Sequence, residues 1–355
     1  MKKFFSVFLS IFLLITTLFY GCNSNRVLTF TAFSTPVIIQ SNDKPIKDSV
    51  KEQITQLFAH LENEFSTSKQ NSTTSAFNNL NTNQTLNVSS RFAFVLEQCT
   101  SLYQFTNGAF NPCILPLLEV WKFTDYKVLN FTPPTTEQVS SALAICDFNA
   151  VKLNENTISK TQQGVKLDFG GILKGYALDL ALEILKENGY QTGYISVGGS
   201  SLALLSVNSL SVKHPRATQN KPTILSINCE NKNYLTLSTS GDYERYYDYN
   251  GTRYSHIIDA KTGLPTQTGV ASATLLGVSG VESDALTTAI CTMHHSPTDL
   301  IQSALVSMLN KISSTYSNAE FYIVYDKDGV KQILTNKKQG EDFTLLDTEY
   351  TVVNI

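Results

Sequence analysis

Leu167-Asp168-Phe169-Gly170-Gly171-Ile172-Leu173-Lys174-Gly175-Tyr176-Ala177-Leu178-Asp179 sets glycines and a lysine between a strand-like stretch and a helix-like one. A helix start presents unpaired N–H groups and the positive end of the macrodipole, which suits an anion. Glycine lets a backbone approach such a ligand closely and take φ values that other residues avoid. Lys174 adds a positive charge, and Asp168 a carboxylate at the end of the strand-like stretch. The layout is that of a phosphate site. It is neither a Walker A loop, which needs Ser or Thr after Gly-Lys, nor a G-x-G-x-x-G fingerprint. Taken alone, the turn fits plain strand-to-helix punctuation as well as a ligand site.

Upstream, Leu28 to Gln40 alternates β-branched and aromatic residues, a strand signal. Val50, Ile54, Leu57, Phe58, Leu61 and Phe65 share one face of a helix expected from about Lys47 to Phe65. Ser66 to Ser90 lacks a period and reads as a loop region, and a second helix is expected from Ser90 to Phe105. Pro133-Pro134 marks the start of another, within Thr132 to Ala144. Downstream, strands are expected near 194–197, 202–207, 222–230, 233–239, 271–278 and 319–325, with a helix from about Glu282 to Met293. Strands and helices mix without a βαβ rhythm, so the fold class is α+β, with mixed, largely antiparallel sheets and packed helices.

The chain has 355 residues, 42% of them hydrophobic and 16% charged, with a formal net charge of −3. That supports a sizeable core, and the lack of a basic stripe argues against nucleic acid as a partner. Lys2 and Lys3 followed by the apolar run Phe4–Tyr20 read as a signal peptide over residues 1–21, short for a membrane span. Gly21-Cys22 resembles a bacterial lipobox, with Leu18 one place too far upstream and bulky Phe19 and Tyr20 beside it. The expectation is an exported protein, lipidated at Cys22, with residues 22–29 as linker. The body, 30–355, is expected as one unit that could divide into two subdomains. Cys99, Cys113, Cys146, Cys229 and Cys291 show no C-x-x-C spacing and read as buried small hydrophobes.

Asp284 and Thr288 are four apart and so stack on one face of their helix. A carboxylate and a hydroxyl suit a hard cation such as Mg²⁺. Equally, an Asp near a helix start favours the dipole, and a mid-helix Thr bonds back to its own turn. His256 lies in a polar–apolar alternation after a hairpin signal at Asn250-Gly251, with Ser255 and Asp259 near it in sequence, and it is the best placed of the histidines for acid/base work. His214-Pro215-Arg216 offers a cation for phosphate, or a solvated loop.

These pieces line up with N-G-A-F-N-P at 107–112, S-T-T-S-A-F-N at 72–78, V-G-G-S at 197–200, S-T-S-G-D-Y at 238–243, Y-S-H-I-I-D-A-K-T-G-L-P at 254–265 and D-A-L-T-T at 284–288. Taken in chain order, from about Thr29 to Met293, they resemble the ApbE family, the FAD:protein FMN transferases. The resemblance implies an ApbE-like (T-fold-like) architecture and an Mg²⁺-dependent transfer of FMN from FAD to a Thr or Ser hydroxyl of an exported acceptor flavoprotein, releasing AMP. It also implies site residues. Asp284, Thr288 and the carbonyl of Leu173 would hold the metal. His256 would serve as acid/base and Lys174 as a charge neutraliser. Asn78, Asp168, Gly170, Gly171, Lys174, Gly199, His214, Arg216, Ser240, Gly241, Asp242 and His256 would contact FAD.

The chain departs from the family at Phe33-Ser34-Thr35, where Met-Gly-Thr is common, and at Asn111, Leu173 and Ser200, where Asp, Ala and Asp or Asn are frequent. Two other readings stand beside transfer. One is an Mg²⁺-dependent FAD pyrophosphatase yielding FMN and AMP. The other is a flavin-binding lipoprotein without chemistry, for which the set Asp284, Thr288 and His256 would be superfluous.

Overall fold

A computed structural model describes residues 24–124 and 130–355. The signal peptide and Cys22 lie outside the described residues. In chain order the elements are β1 (Val27–Ala32), β2 (Thr35–Ser41), α1 (Asp48–Phe65), α2 (Thr73–Asn78), β3 (Thr85–Asn87), α3 (Ser90–Phe105), α4 (Leu115–Val120), α5 (Thr136–Leu143), β4 (Val151–Asn154), β5 (Thr157–Lys160), α6 (Leu173–Glu187), β6 (Gly193–Val197), β7 (Ser201–Ser206), β8 (Ser209–Lys213), β9 (Thr223–Asn228), β10 (Asn233–Gly241), β11 (Tyr246–Tyr249), β12 (Thr252–Ser255), β13 (Val270–Leu276), α7 (Gly280–Cys291), α8 (Ala304–Thr315), β14 (Glu320–Lys327), β15 (Val330–Thr335), β16 (Phe343–Leu345) and β17 (Thr351–Asn354).

Nine of these strands form one sheet in the order β1-β2-β6-β7-β10-β13-β14-β15-β17. Its pairs are antiparallel apart from β15 with β17. The expected α+β class with largely antiparallel pairing is what the chain adopts. One face carries the helices: Val37, Ile39, Ile195, Ala273, Leu275 and Ile323 pack with the apolar faces of α1, α3, α6, α7 and α8. The opposite face carries the small sheet β16-β9-β8, with Ile224, Leu225 and Phe343 against Leu237, Tyr322 and Val324. With both faces covered, β13 is buried along its whole length. The five described cysteines are free thiols and buried, as their apolar surroundings imply.

Three local expectations change. The strand signal over 28–40 is two strands, because the chain reverses at Phe33 and Ser34, whose φ values are 53° and 58°, and Ala32 pairs with Thr35. Such a two-residue left-handed reversal matches the twist of the strands it joins. The stretch 66–90 is not all loop. It holds α2, capped by Ser72 accepting from Ser75 N–H at 2.9 Å, and the short β3. Elements this brief are stabilised by partners distant in sequence, which periodicity does not report. The helix over 132–144 begins only at Thr136, after Thr135 closes a capping box with Gln138.

Candidate active site

The Asp168–Gly171 turn is not fed by a paired strand. Residues 165–169 belong to no strand, and side chains do the work of a strand neighbour. Asn78 donates through Nδ2 to Leu167 O at 3.0 Å and accepts from Leu167 N–H at 2.7 Å. Lys160, fully buried, donates to Asn78 O and Val165 O, both at 3.0 Å. Phe169 then enters the helix layer, edge-on to Phe65 and Phe92 at ring distances of 5.0 and 5.3 Å. The backbone at Asp168 is held by Pro112 O at 2.8 Å, and Asp168 Oδ1 accepts from Gly170 N–H at 2.8 Å.

The first turn of α6 meets α7 at this point. Asp284, with its side chain 5% exposed, accepts from Gly175 N–H at 3.1 Å, so the anion at this helix start is a carboxylate of the chain itself. Lys174 Nζ lies 3.3 Å from each carboxylate oxygen of Asp284 and 3.1 Å from Gly170 O. Thr288 Oγ1 donates to Asp284 O at 3.1 Å, the back-bond that mid-helix Thr commonly makes, and Ser240 Oγ at the end of β10 is 3.3 Å from it. A Cβ built on Gly171 would stand 3.5 Å from that same hydroxyl oxygen. The turn, α7 and β10 therefore converge on one point. The start of α7 is saturated by Asp179, which accepts from Gly280 N–H and Val281 N–H at 2.6 and 2.9 Å.

His256 faces this group from the hairpin β11–β12. Its Nδ1 lies 3.1 Å from Arg245 O. A carbonyl only accepts, so Nδ1 carries the proton and Nε2 keeps its lone pair. Burial, then the positive charges of Arg245 and Lys174, push the imidazole down to about 3, so it is neutral at ordinary pH. Burial also raises the Asp168 carboxyl, with Gly170 N–H, Arg245 and Lys174 opposing. Arg245 and Lys174 thus act electrostatically on both residues. A hollow of about 300 Å³ lined by Asn107, Asp259, Lys261, His294 and Lys311 includes none of these residues.

Other expected site residues have different surroundings. Leu173 is the first helical residue of α6, so its carbonyl belongs to the helix ladder. That bond uses one of the oxygen's two lone pairs, and Gly170 O adds a main-chain oxygen 3.1 Å from Lys174 Nζ. His214 is buried between Asp347 Oδ2, at 3.1 Å, and Arg216 N–H, at 2.9 Å. Arg216 makes a two-pronged ion pair with Asp242 at 2.6 and 2.8 Å. His214, Arg216 and Asp242 therefore tie the β8–β9 connection to the end of β10, and the Arg216 charge is already paired with Asp242. Asp259 and Ser255 do not support His256: Asp259 caps its own turn at Lys261 N–H, and Ser255 Oγ accepts from Ile257 N–H. Gly199, at φ 73°, lies in the β6–β7 turn, where Ser200 O receives Thr239 N–H, so this turn adjoins Ser240 and Gly241. A Cβ at Gly241 would meet the Tyr243 ring at 2.4 Å.

Sequence reasoning missed Arg245, Asp179 and Lys160. Arg245 had a signal. Counting outward from Asn250-Gly251, the hairpin pairs Tyr246 with Ser255 and so brings Arg245 next to His256. Asp179 and Lys160 act through contacts that no local pattern reports.

Among the described residues no three His, Cys, Asp or Glu side chains gather as a metal cage. A cation here would draw on hydroxyl and main-chain oxygens beside Asp284.

The described fold is similar to the ApbE protein of Thermotoga maritima, with a TM-score of 0.71 at 28% identity over 84% of this chain and 94% of that one. Among curated sequences, the FAD:protein FMN transferase of Vibrio cholerae is 28% identical over 248 residues, 69% of this chain and 73% of its own length. The protein of that name from Haemophilus influenzae is 29% identical over 253 residues, 68% and 72% of the two chains. The ApbE family model matches residues 31–307, a span that contains the turn, both members of the Asp284/Thr288 pair and His256; the chain belongs to the ApbE family.

Proposed function

We propose that this chain transfers the FMN half of FAD to the hydroxyl of a Thr or Ser in an exported acceptor flavoprotein and releases AMP. One observation carries the reading: Asp168, Lys174, His256, Asp284 and Thr288, scattered over the sequence, converge in a member of a family whose curated relatives are named FAD:protein FMN transferase.

The donor set fits Mg²⁺. Asp284 offers a carboxylate, Thr288 a hydroxyl, and Leu173 and the Gly170–Gly171 turn main-chain carbonyls, all hard oxygens, and the Lys174 ammonium already rests on Asp284 and Gly170 O. When bound, Mg²⁺ would supply Lewis-acid polarisation of the phosphates. The chain's own part is positioning and charge neutralisation, the main needs of such a transfer. Lys174 and Arg245 give the pyrophosphate a positive surface. His256 Nε2 takes the proton of the acceptor hydroxyl as its oxygen bonds to the FMN-side phosphorus and the anhydride bond to AMP breaks. Burial is the first cause of the low His256 basicity; the cations that add to it are the ones a pyrophosphate neutralises, so substrate relieves part of the depression.

Incubating the purified protein with FAD, Mg²⁺ and an acceptor flavoprotein stripped of cofactor tests this. Mass spectrometry of the acceptor is expected to find FMN on a Thr or Ser. Equal release of FMN and AMP without an adduct would instead make the protein a pyrophosphatase, and FAD bound but unchanged would make it a carrier.

The same reading puts the enzyme on the outer face of a bacterial membrane, anchored by lipid at Cys22. Its support is the Lys2-Lys3 start, the apolar run Phe4–Tyr20 and the Gly21-Cys22 junction. Among the described residues no helix is long and apolar enough to cross a membrane. Incorporation of labelled fatty acid, abolished by Cys22→Ser, is the expected result.

A further inference from the structure

We propose that Lys174 is the built-in counter-ion of the divalent-cation site: its ammonium holds the cation position in the metal-free enzyme and must withdraw before a metal enters. This rests on the reading that Asp284 carries the metal.

The geometry is that of an ion on a carboxylate. Nζ stands 3.3 Å from both oxygens of Asp284, straddling the group, and takes Gly170 O as a third oxygen at 3.1 Å. The other partner of the carboxylate, Gly175 N–H at 3.1 Å, brings no full charge. A carboxylate that is 5% exposed needs a cation near it, because an unpaired buried charge is costly. Lys174 supplies such a cation, and its own side chain remains 23% exposed, so the head has a way out on a flexible four-carbon stem.

Metal and ammonium cannot both sit there. They compete for the same oxygens, and at such separations like charges repel strongly. The lysine therefore holds down the metal affinity of the free enzyme. A polyphosphate that draws the ammonium onto itself clears Asp284, so anion and metal binding reinforce each other through this one side chain. The arrangement also keeps α6 and α7 docked when metal is scarce, since Lys174 and Asp284 belong to different helices.

Mn²⁺ binding to the flavin-free protein, measured by calorimetry in detergent, tests the proposal. Lys174→Met and Lys174→Gln are expected to bind Mn²⁺ roughly tenfold more tightly than the wild type, the worth of about one charge-assisted bond. Lys174→Arg, which keeps a cation, is expected to stay weak, and Asp284→Asn to lose binding in every background. If Asp284→Asn abolishes binding but neither neutral variant binds more tightly, the counter-ion role of Lys174 is overturned. If Asp284→Asn binds Mn²⁺ like the wild type, the fault lies with the metal reading. Thermal melting supplies a second readout should Lys174→Met fold poorly. Added Mn²⁺ should raise the melting temperature of Lys174→Gln more than that of the wild type, and an equal rise counts against the proposal.

Discussion

Gly175 and Gly280 touch backbone to backbone where α6 crosses α7: a Cβ on Gly175 would stand 1.9 Å from Gly280 O, and one on Gly280 would stand 2.4 Å from Gly175 O. This contact sets the distance between the two helices. It is what lets Gly175 N–H reach Asp284 and Asp179 reach the start of α7. In the motif that opens α6, this glycine serves helix packing rather than ligand approach.

Gly175→Ala should therefore be severe. The added methyl meets a main-chain carbonyl that cannot rotate away, so α7 must shift. Overpacking of this kind costs about 1–3 kcal/mol and occasionally more, and urea unfolding should show a loss toward the upper end. Retention of wild-type stability would mean that the helices slide past one another freely.

Ser34→Gly should stabilise the protein. Ser34 is exposed, at φ 58°, in the β1–β2 turn. A left-handed conformation costs a non-glycine residue on the order of 1 kcal/mol, partly offset by the looser unfolded chain that Gly brings. A net gain of roughly 0.5 kcal/mol, read as a small rise in melting temperature, is the expected outcome.

His256→Gln should keep FAD binding and lose turnover by roughly two to four orders of magnitude, the usual worth of a general base. Because the imidazole of the free enzyme is pushed down to about 3, the wild-type kcat/KM should not fall off around pH 6.5 as it would for an ordinary histidine. The same shift affects stability. Between about 3 and the ordinary 6.5 of a histidine the folded chain binds fewer protons than the unfolded one at this site, so stability declines as pH falls through that window. Acid unfolding of His256→Gln should show a shallower slope.

Asp179 has the opposite sign. Burial raises its carboxyl to about 6 against the bonds from Val281 N–H and Gly280 N–H. Its stabilising share is full below the ordinary carboxyl value of 3.8 and is lost as pH rises through about 6. The two residues oppose each other over much of one pH range, so each slope emerges only from its own variant. Asp179→Ala also leaves two amides of α7 without an acceptor, and a loss of roughly 1–3 kcal/mol in urea unfolding is expected.

What the sequence determined by itself is local. Apolar spacing marked α1, α3 and most of α7, and Asn250-Gly251 marked the β11–β12 hairpin. The ordered motifs identified the residues that could meet at a flavin-phosphate site. Periodicity reports which face of an element is apolar, and a motif reports which chemistry is at hand; both are properties of neighbours along the chain.

Tertiary structure decided which of those residues are free to act. Nothing local to His214-Pro215-Arg216 distinguishes a phosphate clamp from a strut; Asp347 and Asp242, brought up from elsewhere in the chain, make it a strut. Nothing local to Asp168–Gly171 says that Asn78 and Lys160 replace a neighbouring strand, or that the first anion at the start of α6 is Asp284. A helix N-terminus or a guanidinium attracts any suitable charge. The fold, by packing α7 against α6 and β10 between β7 and β13, determines which charge arrives.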